Sequence, residues 1–436
     1  MATVNLLEYL RSRTQVDIDT YDAEGRVQML NPSPTCLIFV PLVTTSSPPT
    51  ASMLRPMDPF LVSGRLSAGT HGITVAQRNT SWMVENLLTR VRAKTNANFT
   101  PASKEIGPFQ DATGNQFEIQ AEIVKPNRSA VLKRALELAT TIHPQFATIT
   151  LEELAVEVVG IELALEVIQT VHGNVHVMVN PSYSYNTEAI VANAQRKIIL
   201  FTLYTKKREV NLYAAGLHHI CQIVDPDFDT SRLVTKVPAT WEGMQASRQL
   251  KRNGIKTLAT TVFSMKQAIL AGEAGCISIS PFVHELKTET YEGYKDTNPI
   301  LGICVQAQQF YHQNSLPTRV KACVTLNLDE LIMLAGIDAL TIAPKVLKVL
   351  TSTERPKEEM ESMSLFAKTA KVTEIVKYAS YTDCESQYRV HFAASEGGKA
   401  QFKTAQAISL FCDAQTAAEL YITSRLEDSS YIPINL

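Results

Sequence analysis

An α/β barrel is the fold that the sequence predicts, and three observations within residues 232–286 predict it. The segment reads as strand, helix, strand, helix, strand, alternating about every two dozen residues, the rhythm of a parallel sheet covered by helices. Its strands are apolar or β-branched and two of them are stopped by proline, which cannot donate to a ladder: Leu233–Val237 before Pro238, Thr257–Phe263, and Cys276–Ser280 before Pro281. Between them lie helix signals. Met244, Ala246, Ser247 and Leu250 share one side of a helix from Trp241 to Arg252, with Gly254 just past its end. Met265, Ala268, Ile269 and Gly272 repeat at i, i+3, i+4, i+7, and Gly275 closes that helix.

Lys236 stands out in this frame. Side chains alternate along a strand, so Val234, Lys236 and Pro238 face one way and Leu233, Thr235 and Val237 the other. One face must meet the covering helices, which turns Lys236 into the barrel near the carboxyl end of its strand, where barrel enzymes place their chemistry. An amine held there is partly desolvated, which disfavours the ammonium and leaves a nucleophile able to attack a carbonyl. The bland alternative is a lysine that snorkels to solvent at the strand's end.

The residues around Lys236 also carry a resemblance. TKVPATWEG (235–243), GIKTLATTVFS (254–264) and ISISPFVHEL (277–286) occur in the order and at the spacing seen in the transaldolase family. Members of that family form a Schiff base from the lysine of a K-[IV]-P-x-T-x-E-G segment. The resemblance implies a (β/α)8 TIM barrel, with Lys236 as the Schiff-base nucleophile.

Composition excludes several other classes. A length of 436 residues accommodates one large barrel with appendages or two domains, and 45% hydrophobic content is ordinary for a soluble globular protein. A formal net charge of −2 gives no electrostatic reason to expect nucleic acid or an acidic membrane as partner. The seven cysteines are scattered and contain no C-x-x-C, which suits reduced thiols better than a disulfide framework or zinc site. No apolar run approaches bilayer length, and MATVNLLEYLRSRTQ lacks a signal-peptide core. A soluble, cytoplasmic protein is expected, without nucleic-acid or membrane partners; a homodimer is one assembly open to it.

In chain order, Asn5–Arg13 reads as a short amphipathic helix. TQVDIDTYD resembles the family's first barrel strand, which ends in an aspartate; Asp17 and Asp19 share a face, and Asp19 lies nearer the carboxyl end. The resemblance implies that Asp19 handles protons during C–C bond cleavage. The strand–helix pattern stops over residues 25–103, rich in Pro, Ser and Thr, and resumes at KEIGPFQDATGNQ. This long irregular insertion reads as poorly ordered, with translated non-coding sequence and a functional lid as the alternatives. GPFQDATGNQ resembles the second strand and its loop, implying that Asn115 bonds substrate hydroxyls; a turn asparagine is the bland account. Ser129–Ile142 is an amphipathic helix, and Thr150 with Glu153 forms a capping box for the next helix. GNVHVMVNPSYSYNTEAIVANAQRKI resembles the third strand and helix, but Met178 stands where the family has an inward Glu or Gln. Residues 205–222 read as a second insertion, and its paired His218 and His219 make no metal site without further ligands. Asn298–Tyr311 reads as a helix, Thr318–Thr325 as the seventh strand and Ala339–Ala343 as the eighth, matching the family's LTIAP. Residues 352–390 read as an irregular surface excursion, and Lys403–Arg425 as the C-terminal helix. The barrel is thus assigned to residues 1–24 and 104–426, with 427–436 a tail.

Three further departures bear on substrate. By the resemblance, Glu285 replaces the arginine expected after SPFV, and Val324 and Leu326 replace a serine and an arginine on strand seven. A carboxylate repels phosphate and two apolar residues offer it no donor. Leu258 likewise replaces a polar residue on strand five, while Thr260, Ser280 and Phe282 remain to line the inner site. The reading is a transaldolase-like Schiff-base enzyme transferring a dihydroxyacetone-type unit from a small carbonyl or sugar substrate to an aldehyde, with activity on sugar phosphates doubtful. No metal or organic cofactor is implied, because the iminium is itself the electron sink. The alternatives are an aldolase or cyclase of a specialised pathway, and a catalytically silent relative.

Overall fold

The computed structural model describes residues 3–20, 106–205, 230–369 and 377–427. Eight parallel strands close a barrel: β1 (Gln15–Asp19), β2 (Ala112–Thr113), β3 (Val175–Met178), β4 (Leu233–Pro238), β5 (Lys256–Val262), β6 (Ser278–Pro281), β7 (Arg319–Ala322) and β8 (Ala339–Ile342). Each strand pairs with its sequence neighbour, and β8 returns to β1 through Gln15↔Ala339 to Ile18↔Ile342. The expected (β/α)8 barrel is therefore the observed one.

Buried strands feed this ring because their outward residues meet helices while their inward residues fill the interior. Trp241–Arg252 forms as its spacing predicts: Met244, Ala246, Ser247 and Leu250 are buried, Thr240 caps the start, and Lys251 and Arg252 sit in the last turn, where cations suit the helix dipole. Met265–Ala274 ends at Gly275, whose φ of 79° is the left-handed conformation glycine tolerates. Pro238 is the last residue of β4, in register with Thr260, rather than the residue after it. Ser129–Ile142 and the short helix Leu6–Arg11, capped by Asn5, also follow the sequence reading.

Four local readings change. Thr150 accepts the Glu153 N–H at 3.1 Å, but the Glu153 carboxylate accepts the Tyr183 hydroxyl at 2.6 Å instead of completing the capping box. The helix expected from Asn298 starts at Leu301 instead, and the Asn298 N–H donates to the Asp296 carboxylate at 2.7 Å in the turn before it. Residues 352–369 and 377–390 are more ordered than expected: Glu354–Pro356 pairs antiparallel with Thr3–Asn5, and Met360, Tyr381 and Tyr388 are buried. Apolar side chains spaced for short helices anchor this segment, a signal its high charge obscured. Lys399–Leu426 begins four residues before the expected C-terminal helix; it buries Ala407, Phe411, Ala414, Ala418 and Ile422 on one face.

The long insertion at 25–103 lies outside the described residues, as do 206–222 of the second insertion and 428–436 of the tail. Across the first of these stretches β1 bonds directly to β2, through Ile18 N–H to Asp111 O at 3.1 Å.

Candidate active site

Strand register decides what faces the barrel interior. In parallel strands, paired residues point to the same side. Asp19 pairs with Thr113, Thr113 with His176, Met178 with Lys236, and Lys236 with Leu258. Asp17 and Lys321 lie one pleat lower on β1 and β7.

The lower layer is an ion cluster. The Lys321 ammonium donates to Asp17 and Asp111 at 2.6 Å each, and all three side chains are buried. Burial alone would push the Asp111 carboxyl up, but bonding to His176 and the charges of Lys321 and His176 hold it well below the carboxylate range. Lys321 keeps its proton firmly: burial works against the ammonium, and Asp17 and Asp111 more than offset it. This layer is satisfied within the protein.

The upper layer is different in kind. Lys236 is 4% exposed, and among the described residues no acceptor lies within hydrogen-bond reach of its Nζ. Asp19, at the carboxyl end of β1, lies close enough for the two charges to act on each other. Burial raises its carboxyl, and Lys236 partly offsets that. Among the described residues the buried hydroxyls of Thr113 and Thr260 have no hydrogen-bond partner, and they stand on the inward face of β2 and β5. Orphaned polar atoms beside an amine and a carboxylate suit a polyhydroxylated ligand. Met178, beside Lys236, is 1% exposed and offers neither proton nor acceptor.

Each residue expected from the sequence has a clear place. Lys236, Asp19 and Thr260 converge on this upper layer. Ser280 is buried on β6, its hydroxyl 3.2 Å from the Cys323 thiol, whose proton burial holds on. Asn115 caps the helix Gln116–Ile123, its amide oxygen accepting the Phe117 N–H at 2.8 Å, so its carbonyl serves the turn. Phe282 packs edge-on against Phe263 at 5.7 Å and Phe411 at 6.4 Å, joining the barrel rim to the C-terminal helix. Glu285 turns away from the interior. It is buried, and its carboxylate accepts the Tyr294 hydroxyl at 2.5 Å and the Gln406 amide at 2.9 Å. Val324 has a φ of 56°, a strained conformation for a β-branched residue, and Leu326 is 47% exposed.

Two carboxylates escaped the sequence reading. Glu118 sits at the third position of Gln116–Ile123, and its Oε2 accepts the Asn115 N–H at 2.8 Å, completing a capping box. Burial, then the charge of Asp19, push it up to about 8, against the opposing effect of Lys236. Glu289, in the turn of helix Lys287–Thr290, is pushed up to about 7 by burial and by Asp19, with Lys345 and His284 opposing. The Glu289 side chain is itself exposed to solvent. Asn115 followed three residues on by glutamate is a capping-box signature legible in the sequence; nothing local marks Glu289.

The strand ends around this layer are braced by Gln267. Its amide accepts the Phe263 N–H at 2.8 Å and donates to Ala239 O, Thr261 O and Thr404 Oγ1 at 3.1 Å each. Thr261, with φ of 57°, is held strained between these bonds. No helix among the described residues is long and apolar enough to cross a membrane.

The transaldolase/fructose-6-phosphate aldolase family model matches residues 94–397. The chain is 29% identical over 308 residues to the transaldolase of Chlamydia muridarum, covering 69% of this chain and 84% of that protein. It is 28% identical over 326 residues to the transaldolase of Prochlorococcus marinus, covering 73% and 88%. With the transaldolase of Yersinia pseudotuberculosis it shares 30% over 280 residues, covering 62% and 80%. A family match over more than half the length, on a closed eight-stranded parallel barrel, places this chain in the transaldolase/fructose-6-phosphate aldolase family.

Proposed function

We propose that the protein is a Schiff-base transferase of transaldolase type that moves a ketone-derived unit between carbonyl compounds lacking a phosphate group. The observation that carries this reading is the inward, buried amine of Lys236 beside the Asp19 carboxylate at the carboxyl end of the barrel strands.

In the proposed cycle Lys236 Nζ attacks the donor ketone carbon, and the carbinolamine loses water to give an iminium. Asp19 takes the proton of the hydroxyl carried by the far carbon of the breaking C–C bond, the carbon that becomes the aldehyde. That bond's electron pair moves into the iminium, giving an enamine and releasing an aldehyde. The enamine carbon then adds to the acceptor aldehyde, whose oxygen recovers the proton from Asp19. Water hydrolyses the new iminium and frees Lys236.

The charges around the amine support a substrate without phosphate. Asp19 and Glu118 are the carboxyls that act on Lys236, and Glu285, Val324 and Leu326 provide no cation at the rim. A charge-assisted contact to phosphate contributes roughly 1.5–3 kcal/mol, so losing two lowers kcat/KM for phosphorylated donors by roughly 10²–10⁴. The test is borohydride trapping with dihydroxyacetone, followed by steady-state assay with fructose 6-phosphate and its non-phosphorylated counterpart. The expected result is added mass on the peptide holding Lys236, lost in Lys236→Ala, with preference for the non-phosphorylated donor. Adduct on another lysine overturns the mechanism, and efficient turnover of the phosphate ester overturns the substrate class.

A further inference from the structure

Schiff-base formation needs more than a nucleophile. The carbinolamine must expel hydroxide or be given a proton so that water leaves, and expelling hydroxide inside a barrel is slow. Met178, in register beside Lys236, cannot supply that proton, and Asp19 is assigned to the hydroxyl of the breaking bond. The candidate donors are the groups whose position puts them against both Asp19 and Lys236.

We propose that Glu118 is a second proton-transferring residue of this site, giving the proton with which the carbinolamine hydroxyl on Lys236 leaves as water and taking it back on hydrolysis. The inference rests on the reading of Lys236 as the amine nucleophile. In the step, the C–O bond breaks and the nitrogen lone pair forms C=N. The hydroxyl departs with the Glu118 proton, leaving an iminium cation and a Glu118 carboxylate.

Geometry supports this role. β2 ends at Thr113, which pairs with Asp19, and the chain turns through Asn115 into the helix that carries Glu118. The bond from Asn115 N–H to Oε2 folds the carboxyl back over the end of β2 instead of letting it extend along the helix. Among the described residues no other side chain bonds to Glu118, whose carboxyl is held by the Asn115 N–H and its own backbone N–H. The hydroxyls of Thr113 and Thr260, buried and without partners among the described residues, can hold the departing oxygen. The chemistry agrees: burial and Asp19 push Glu118 up to about 8, against Lys236, so the acid form is present at neutral pH. Glu289 is also raised by Asp19, with Lys345 and His284 opposing, and none of these groups acts on Glu118 except Asp19.

Capping alone is the competing account, and Glu118→Gln separates the two, because glutamine caps at this position but carries no transferable proton. The experiment follows the rate of borohydride-trapped adduct formation by the full chain with dihydroxyacetone, by mass spectrometry, between pH 6 and 9.5. In the native protein the rate is expected to fall as pH rises through about 8. Glu118→Gln is expected to slow adduct formation by roughly 10²-fold, lose that limb and keep its melting temperature at pH 6, where Glu118 carries its proton. A variant that forms adduct at the native rate with the native pH profile overturns the proposal. Should the variant not fold, the native profile decides: a limb near 8 supports the role, and a rate that only rises with pH overturns it. Absence of any adduct in the native protein sinks the Schiff-base reading itself, a result distinct from an unimpaired Glu118→Gln.

Discussion

Glu118 and Glu289 show how a site's chemistry is carried as a stability cost. Both carboxyls are raised by burial first and by Asp19 second, to about 8 and about 7. In the unfolded chain they titrate near ~4.3, so between that value and the folded one the native state holds more protons. Their contribution is complete at acid pH and is lost as pH climbs to 7 and then 8. Asp111 works in the opposite sense: its carboxyl is held down, so its contribution is present at neutral pH and lost as pH falls below the ordinary carboxylate range. Melting temperatures measured from pH 5 to 9 should fall less steeply for Glu118→Gln/Glu289→Gln than for the native protein. An identical slope would mean that these carboxyls titrate normally. At this scale the sequence was informative about Lys236, whose facing follows from strand alternation and the covering helices, and about Asp19, which the family resemblance singled out. It was silent on Glu289, which reaches Asp19 only through the path of a later loop.

Among the elements, β5 and its following helix are tied by one side chain. Gln267 satisfies the Ala239 and Thr261 carbonyls, the Phe263 N–H and the Thr404 hydroxyl. Removing the amide in Gln267→Leu strands buried polar groups that cost about 1–3 kcal/mol each. Chemical denaturation should show a lower midpoint with the same slope, and an unchanged midpoint would mean that the carbonyls find other donors. Helices and strands were legible where period and punctuation agreed, as at Trp241–Arg252 and at Met265–Ala274 before Gly275. The buried Glu157, paired with Arg196 at 2.9 Å, shows the limit of that method. A glutamate in a covering helix reads as solvated until a second helix brings its partner.

For the whole molecule, the lower ion layer locks β1, β2 and β7 together from inside the barrel. Lys321→Met would leave Asp17 and Asp111 buried without their cation, and breaking such a cluster costs about 3–5 kcal/mol. Urea unfolding is expected to show a loss of that order, while Lys236 adduct formation persists if the variant folds. A loss under about 1 kcal/mol would mean that the carboxylates take up protons at little cost. The closed ring also explains why a chain with long stretches between its strands still makes one barrel. Each strand bonds to its neighbour directly, so what lies between adds to loop length, and loop closure cost grows only slowly with length.

The sequence by itself determined the barrel, the inward facing of Lys236 and Asp19, and the apolar side chain at Met178. These follow from local period, strand alternation and short motifs, all written over a few neighbouring residues. Tertiary structure alone decided that Glu285 turns to Tyr294 and Gln406, that Phe282 joins an aromatic cluster, and that Glu118 and Glu289 gather around Asp19. Those outcomes depend on charges and rings brought together from distant segments, and the energy of a buried carboxyl is set by such neighbours, not by the residues beside it in the chain.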